Sequence, residues 1–278
     1  METFEWNWKT SDGLQMYSKG WAPKGKPKAV VCLLHGVGEH IGRYEHVAEA
    51  LTEKGYALLG FDLRGHGKSA GPRGHLPSFE AFMSDIDRFL AEVAKRYPGA
   101  PQFLYGHSMG GILVLNYALR RKPRLAGVIS TGAALHTAIE EQKVKVVMAR
   151  VLGALLPTMT IASGLDPKTL SRDPAVVQAY ISDPLVHDRM TAGFGKIILT
   201  VNPWTFEHAG ELELPLLIMH GTKDMLCYPS SSLEFAGLAP KDKVTLKMWD
   251  GFYHEIHNEP GKAEVFKVMT DWLDKHLM

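Results

Sequence analysis

Between Gln102 and Arg121 a short apolar run, QFLY, passes through Gly106-His107-Ser108-Met109-Gly110 into a helical pattern that ends before Pro123. Few folds take a strand straight into a helix around a serine set between glycines. Such a turn strains the serine backbone and tolerates only small neighbours packed against the strand and helix. The hydroxyl is then held beyond the end of a strand, over a helix N-terminus that favours negative charge. A bare G-x-S-x-G is a weak signal, but the flanking strand and helix make Ser108 a candidate nucleophile elbow. The plain alternative is a glycine-rich turn with a structural serine.

Similar apolar runs, short and rich in Val, Leu and Ile, recur along the chain: AVVCLL from Ala29, ALLGF from Ala57, GVIS from Gly127, LPLLIMH from Leu214 and KVTLKMW from Lys243. Runs of this kind suit strands buried on both faces. Helical patterns lie between them. The clearest follows Ser78, a candidate N-cap, with Phe79, Phe82, Ile86, Phe89, Leu90 and Val93 at helical spacing before Pro98. Alternating strands and helices predict a mostly parallel sheet covered on both faces. Two aromatic-rich segments around Asp12-Gly13 read as a hairpin at one sheet edge, and the last helix carries Val265, Phe266, Met269, Trp272 and Leu273.

After GVIS the alternation stops. From about His136 to Phe206 the chain reads as helical, Met- and Leu-rich sequence interrupted by Pro157, Pro167, Pro174, Pro184 and Pro203. The expectation is an α/β core from residues 1–135 and 206–278 with an inserted helical lid at 136–205.

Composition narrows the function classes. With 31 basic and 30 acidic residues interspersed, the chain has no field to gather nucleic acid. Two cysteines, Cys32 and Cys227, cannot build a disulfide framework, so a reducing compartment is expected. The sequence METFEWNWKT does not read as a signal peptide, and no uncharged apolar run approaches the roughly 20 residues that span a bilayer. A cytoplasmic protein is expected.

A serine hydroxyl needs a base to take its proton, and the base needs a carboxylate to hold its tautomer. Both must stand at the carboxyl ends of other strands, where sites in parallel sheets form. Asp224 follows one such strand and His254 the next. The order Ser108, Asp224, His254 is the one this architecture uses. His257 and Asp250 are rivals in the same loop. Asp250 is close to His254 in sequence and is read as a turn residue with Gly251.

His35-Gly36 follows the AVVCLL strand directly, so the backbone there can approach a substrate oxygen. The N–H groups of Val37 and Met109 would then form an oxyanion hole, each donor worth about 3 kcal/mol in the transition state. The bland reading is a turn permitted by Gly36 and Gly38. FDLRGHGKSAGPRG, with Asp62 and Arg64, reads as a buried ion-pair network rather than as catalysis. His35, His40, His46, His66 and His75 match no common zinc spacing, so no metal is expected.

Together, HGVGEHIGRY, FDLRGHGKSAGPRG, GHSMGG, SDPLVH, HGTKD and YHEIHNEP resemble the α/β-hydrolase group that contains monoacylglycerol lipases and related lysophospholipases, over nearly the whole chain. The resemblance implies an α/β-hydrolase fold with the triad Ser108, Asp224 and His254, and an oxyanion hole at Val37 and Met109. It further implies a polar glycerol pocket with Glu39 and His257, and Arg43 as an orienting partner.

The expected function is therefore a cofactor-independent serine hydrolase that cleaves monoacylglycerol to glycerol and fatty acid. Lysophospholipase, broad carboxylesterase, acyltransferase and a non-catalytic lipid-binding protein are the alternatives. An epoxide hydrolase would need a carboxylate where Ser108 stands. Val144, Val146, Val147, Val151, Leu152, Leu155 and Leu156 give the insertion an apolar surface. It could line an acyl channel and touch a lipid surface transiently, or simply pack on the core. The sequence sets no oligomeric state.

Overall fold

The computed structural model describes residues 1–138, 140 and 143–277, apart from the side chains of residues 143–145 and 148. In chain order the strands are β1 (Glu2–Lys9), β2 (Gln15–Ala22), β3 (Val30–Leu34), β4 (Ala57–Phe61), β5 (Gln102–His107), β6 (Gly127–Thr131), β7 (Thr160–Ala162), β8 (Arg189–Thr191), β9 (Leu216–Gly221) and β10 (Val244–Trp249). The helices are α1 (Glu45–Glu53), α2 (Phe79–Arg96), α3 (Met109–Arg121), α4 (Lys143–Leu155), α5 (Pro174–Ser182), α6 (Ala192–Glu207), α7 (Pro229–Leu238) and α8 (Lys262–Lys275).

Eight strands form one sheet in the order β1, β2, β4, β3, β5, β6, β9, β10. The first two make an antiparallel hairpin in which Lys9 faces Gln15, and Gly13 supplies the turn's positive φ of 82°. Strand β2 also runs antiparallel to β4, while β4, β3, β5, β6, β9 and β10 are mutually parallel.

Strands β3 to β6 and β9 are buried along almost their whole length because side chains of both parities meet a helical layer. Val31, Leu33, Phe103, Ile129 and Leu217 pack with Val47 and Leu51 of α1 and Val265 and Met269 of α8. Their neighbours Cys32, Leu34, Leu104, Val128 and Ile218 pack with Phe82, Ile86 and Phe89 of α2 and Ile112 and Val114 of α3. Each such fully buried aliphatic or aromatic side chain contributes roughly 1.5–3 kcal/mol. Helix α2 begins where expected: Ser78 Oγ accepts the Ala81 N–H at 3.2 Å.

The segment between β6 and β9 is not wholly helical. It contains α4, α5, α6 and an antiparallel ribbon of β7 with β8. Pro157 follows α4 and Pro174 opens α5, but Pro203 lies inside α6, which continues to Glu207. The expected division at 205/206 thus falls within a helix, next to Thr205, whose Oγ1 accepts the Asn116 Nδ2 of α3 at 2.8 Å. The side chain of Val144 lies outside the described residues. No helix among the described residues is long and apolar enough to cross a membrane.

Asp62 and Arg64 take the structural roles read from the sequence. Asp62 accepts the N–H groups of Ile41 at 2.8 Å and Lys68 at 2.7 Å, which orders the loop after β3. Arg64 grips Asp85 through Nε at 2.7 Å and Nη2 at 2.8 Å. The histidines of this region are spread over separate contacts: His35 with Gly36 O, His40 with Asp183, His46 with His257 O, His66 with Arg64 O and His75 with Thr191.

Candidate active site

Ser108 stands between β5 and α3 with φ 54° and ψ −114°, one of two non-glycine residues with positive φ among the described residues. Its N–H donates to Thr131 O at 2.9 Å, tying the turn to β6. Glycine is needed on both sides for space: a Cβ on Gly106 would overlap the Gly110 carbonyl, and one on Gly110 would overlap the Leu34 carbonyl.

Asp224 and His254 follow β9 and β10 at the same end of the sheet. His254 Nδ1 donates to Asp224 Oδ2 at 2.7 Å. The other carboxylate oxygen accepts the N–H groups of Leu226 at 2.8 Å and Cys227 at 3.0 Å. Burial works against both charges. The His254 imidazolium and the hydrogen bonds nonetheless hold Asp224 well below the usual carboxylate range. Burial alone would lower His254, but the Asp224 carboxylate outweighs it and leaves the imidazole more basic than an ordinary histidine. This pairing fixes the tautomer, with the proton on Nδ1 and Nε2 left as the acceptor nitrogen.

Asp250 remains in its turn, accepting Thr222 Oγ1 at 3.1 Å, beside Gly251 with φ 73°. Among the described residues, Asp224, Cys227 and His254 are the group whose ligand atoms could converge on a metal ion. The Asp224–His254 hydrogen bond gives two of them another occupation.

Gly36 lies against Ser108, where an added Cβ would stand 3.2 Å from the serine Cβ. The Gly36 N–H is engaged by Glu39 Oε1 at 2.6 Å, and Val37, whose amide comes next, lines the same cavity as Ser108. Glu39 Oε1 also accepts the Tyr44 hydroxyl at 2.7 Å and its Oε2 accepts Arg43 Nη1 at 2.8 Å. All these donors act on a carboxylate whose burial pushes its pKa up. Glu39 therefore shapes the loop as well as lining the cavity.

Arg43 and His257 lie one layer deeper. The Arg43 guanidinium binds Glu255 at 2.7 and 2.8 Å while holding Glu39, and it stacks on the Tyr180 ring with its centre 4.7 Å from the centroid. Glu255 is held low: burial opposes its charge, and the Arg43 cation overcomes that. His257 is buried, its ring 4.9 Å from that of Tyr44 and 4.7 Å from that of His107. Burial together with the His107 ring lowers its pKa.

The cavity over Ser108 is lined by Gly36, Val37, Glu39, His107, Ser108, Leu165, Leu170, Tyr180, His254 and Glu255. Its volume is about 10 Å³, room for about one water molecule. A larger cleft of about 430 Å³ lies by Gln102 and Ala126, where β5 and β6 begin, remote from Ser108.

A sequence profile described as serine aminopeptidase S33 matches residues 25–261. A monoacylglycerol lipase of Mycolicibacterium smegmatis is 35% identical over 95% of this chain and 95% of its own length. The chain belongs to the monoacylglycerol lipase family of α/β-hydrolases. An uncharacterized abhydrolase domain-containing protein of Dictyostelium discoideum is 40% identical over 96% of this chain, which spans 28% of that protein's length. The crystal structure of Paleococcus ferrophilus monoacylglycerol lipase is similar with a TM-score of 0.85 at 34% identity, covering 99% of this chain and 100% of that one.

Within this monoacylglycerol lipase fold, sequence reading passed over Glu255, Tyr180 and His220. Glu255 directly follows His254, and that adjacency was the signal that could have found it. Tyr180 reaches the cavity from α5, whose return to the core no local pattern announces.

Proposed function

We propose that the protein is a serine hydrolase that cleaves monoacylglycerol into glycerol and fatty acid. The observation that carries this reading is that His254, paired with Asp224, lines the same cavity as Ser108. Ser108 Oγ attacks the ester carbonyl while His254 Nε2 takes its proton, and the Val37 and Met109 amides receive the oxyanion. His254 returns the proton to the departing glycerol oxygen. Water, activated by the same imidazole, then releases the fatty acid and regenerates Ser108. No step calls for a metal or cofactor.

Glu39 and Glu255 form the polar wall, with Arg43 holding both from behind and His257 packed against Tyr44 and His107. A neutral head group suits this wall. Arg43 is neutralised by carboxylates on both sides, so it offers a phosphate no free cation. This favours monoacylglycerol over lysophospholipid. Residues 136–205 act as a lid, with the apolar face of α4 meeting lipid surfaces transiently. The buried thiols Cys32 and Cys227 fit a reducing, cytoplasmic setting.

The test is fatty-acid release from matched monoacylglycerol, diacylglycerol, lysophosphatidylcholine and a short soluble ester. Monoacylglycerol is expected to lead, and Ser108→Ala to lose about ten-thousandfold or more in kcat. Equal turnover of lysophosphatidylcholine would remove the head-group assignment. Because His254 is base-active only when unprotonated and its pKa is raised, kcat/KM should climb with pH and reach half-maximum above the ordinary histidine value of about 6.5. A half-maximum well below it would contradict the Asp224 pairing.

A further inference from the structure

Asp224 is flanked by two histidines. His220, the fifth residue of β9, is fully buried, and its Nε2 lies 3.0 Å from Asp224 Oδ2, the same oxygen that receives His254 Nδ1 at 2.7 Å. Its Nε2 also faces the Cys227 carbonyl oxygen at 3.0 Å. Both neighbours are acceptors, so Nε2 carries the proton and donates. The other ring nitrogen meets the hydroxyl of Ser232, a buried residue of α7, at 2.7 Å. A chain of hydrogen bonds thus runs from α7 through β9 to the triad carboxylate.

We propose that His220 is a positioning residue of the triad: its Nε2–H fixes Asp224 Oδ2 against His254 and withdraws part of the negative charge that His254 feels. The inference rests on the Ser108–Asp224–His254 reading but not on the choice of lipid. Among the described residues, three of the four donors to the Asp224 carboxylate come from its own loop or from His254, and His220 is the one that ties it to β9 and α7. Without it the carboxylate keeps its grip on the loop amides through Oδ1, while Oδ2 is held by the imidazole of His254 only.

The electrostatic consequence has a definite sign. A donor on Oδ2 spreads the carboxylate charge. Removing it concentrates that charge on the oxygen facing the imidazolium, which holds its proton more tightly, and the acid limb of kcat/KM moves to higher pH. The other groups facing the pair are His107 from the end of β5, Glu255 beside His254, Glu39 from the loop after β3, and Cys227. None of these donates to Asp224 Oδ2, so none replaces His220.

The experiment compares His220→Leu with His220→Gln, whose amide can donate from nearly the same place, using a short soluble ester and counting active sites with a fluorophosphonate. His220→Leu is expected to lower kcat about tenfold or more, with KM little changed, and to raise the acid-limb midpoint by about half a pH unit or more. His220→Gln should bring both back toward the parent. If the two variants share one midpoint equal to the parent's, or lose activity alike, His220 is packing only and the proposal falls. Should His220→Leu not fold, Ser232→Ala takes its place, with a smaller upward shift expected and an unmoved midpoint overturning the proposal. Ser108→Ala in the same assay separates this outcome from failure of the triad itself, because only that failure leaves its activity intact.

Discussion

Residues 170–191 and helix α4 belong to the same insertion between β6 and β9, yet they meet the rest of the molecule in different ways. The first stretch is stitched to the core loops. Leu170 O accepts Glu255 N at 2.8 Å, Arg172 Nε binds Glu259 at 2.7 Å, and Asp183 pairs with His40 at 2.8 Å. Further along, His187 N donates to Gly38 O and Thr191 N to Gly74 O, both at 2.9 Å. Helix α4 instead packs on α6, where Gly153 allows close approach to Ala192, and turns Val147, Val151 and Leu155 to solvent at 59%, 50% and 74% exposure. The stitched stretch serves as a wall of the active site, since it carries Leu170 and Tyr180. The α4 stretch is spared that duty, and its side chains at four-residue spacing make a continuous apolar stripe.

The sharpest way to break this contrast is Arg43→Met. Arg43 joins the stitched stretch, through Tyr180, to two buried carboxylates. Leaving Glu39 and Glu255 unpaired should cost about 3–5 kcal/mol in chemical denaturation. A loss below about 1 kcal/mol would mean that the carboxylates find other partners. Asp183→Asn weakens one partly exposed contact, the His40–Asp183 hydrogen bond, and should lower Tm by only about 2–4 °C, the effect of about 1 kcal/mol. Smallest in stability is Val151→Asp with Leu155→Asp, expected within about 0.5 kcal/mol of the parent. The same pair should reduce turnover of monoacylglycerol presented in vesicles while sparing a soluble ester. Unfolding of that variant would show α4 to be as firmly tied to the core as residues 170–191.

The same contrast governs what could be read from sequence. Strands β3 to β6 and helices α2 and α3 were legible because burial on both faces, or on one stripe, writes itself locally in residue order. The placement of Ser108, Asp224 and His254 at one end of the sheet was legible for a related reason, since they stand just past strands whose ends the apolar runs mark. The ribbon of β7 and β8 was not, because its three-residue strands pair across nearly thirty positions and dock through Thr191 N on Gly74 O, contacts too distant in the chain to leave a local pattern. Pro203 misled as a helix breaker, since α6 continues through it against the core. The deeper placement of Arg43 depends on Glu255 closing over it, a contact across more than two hundred residues that no spacing rule foretells.

The narrow cavity over Ser108 has a kinetic corollary. Where an acyl chain binds only molecules in which this cavity has widened, the apparent dissociation constant is the intrinsic one divided by the widened fraction. If about one molecule in a hundred is open, affinity is weakened about a hundredfold before any contact with the head group is made. A lipid interface that holds the α4 stripe would then act as an activator, enriching the competent population without touching the triad.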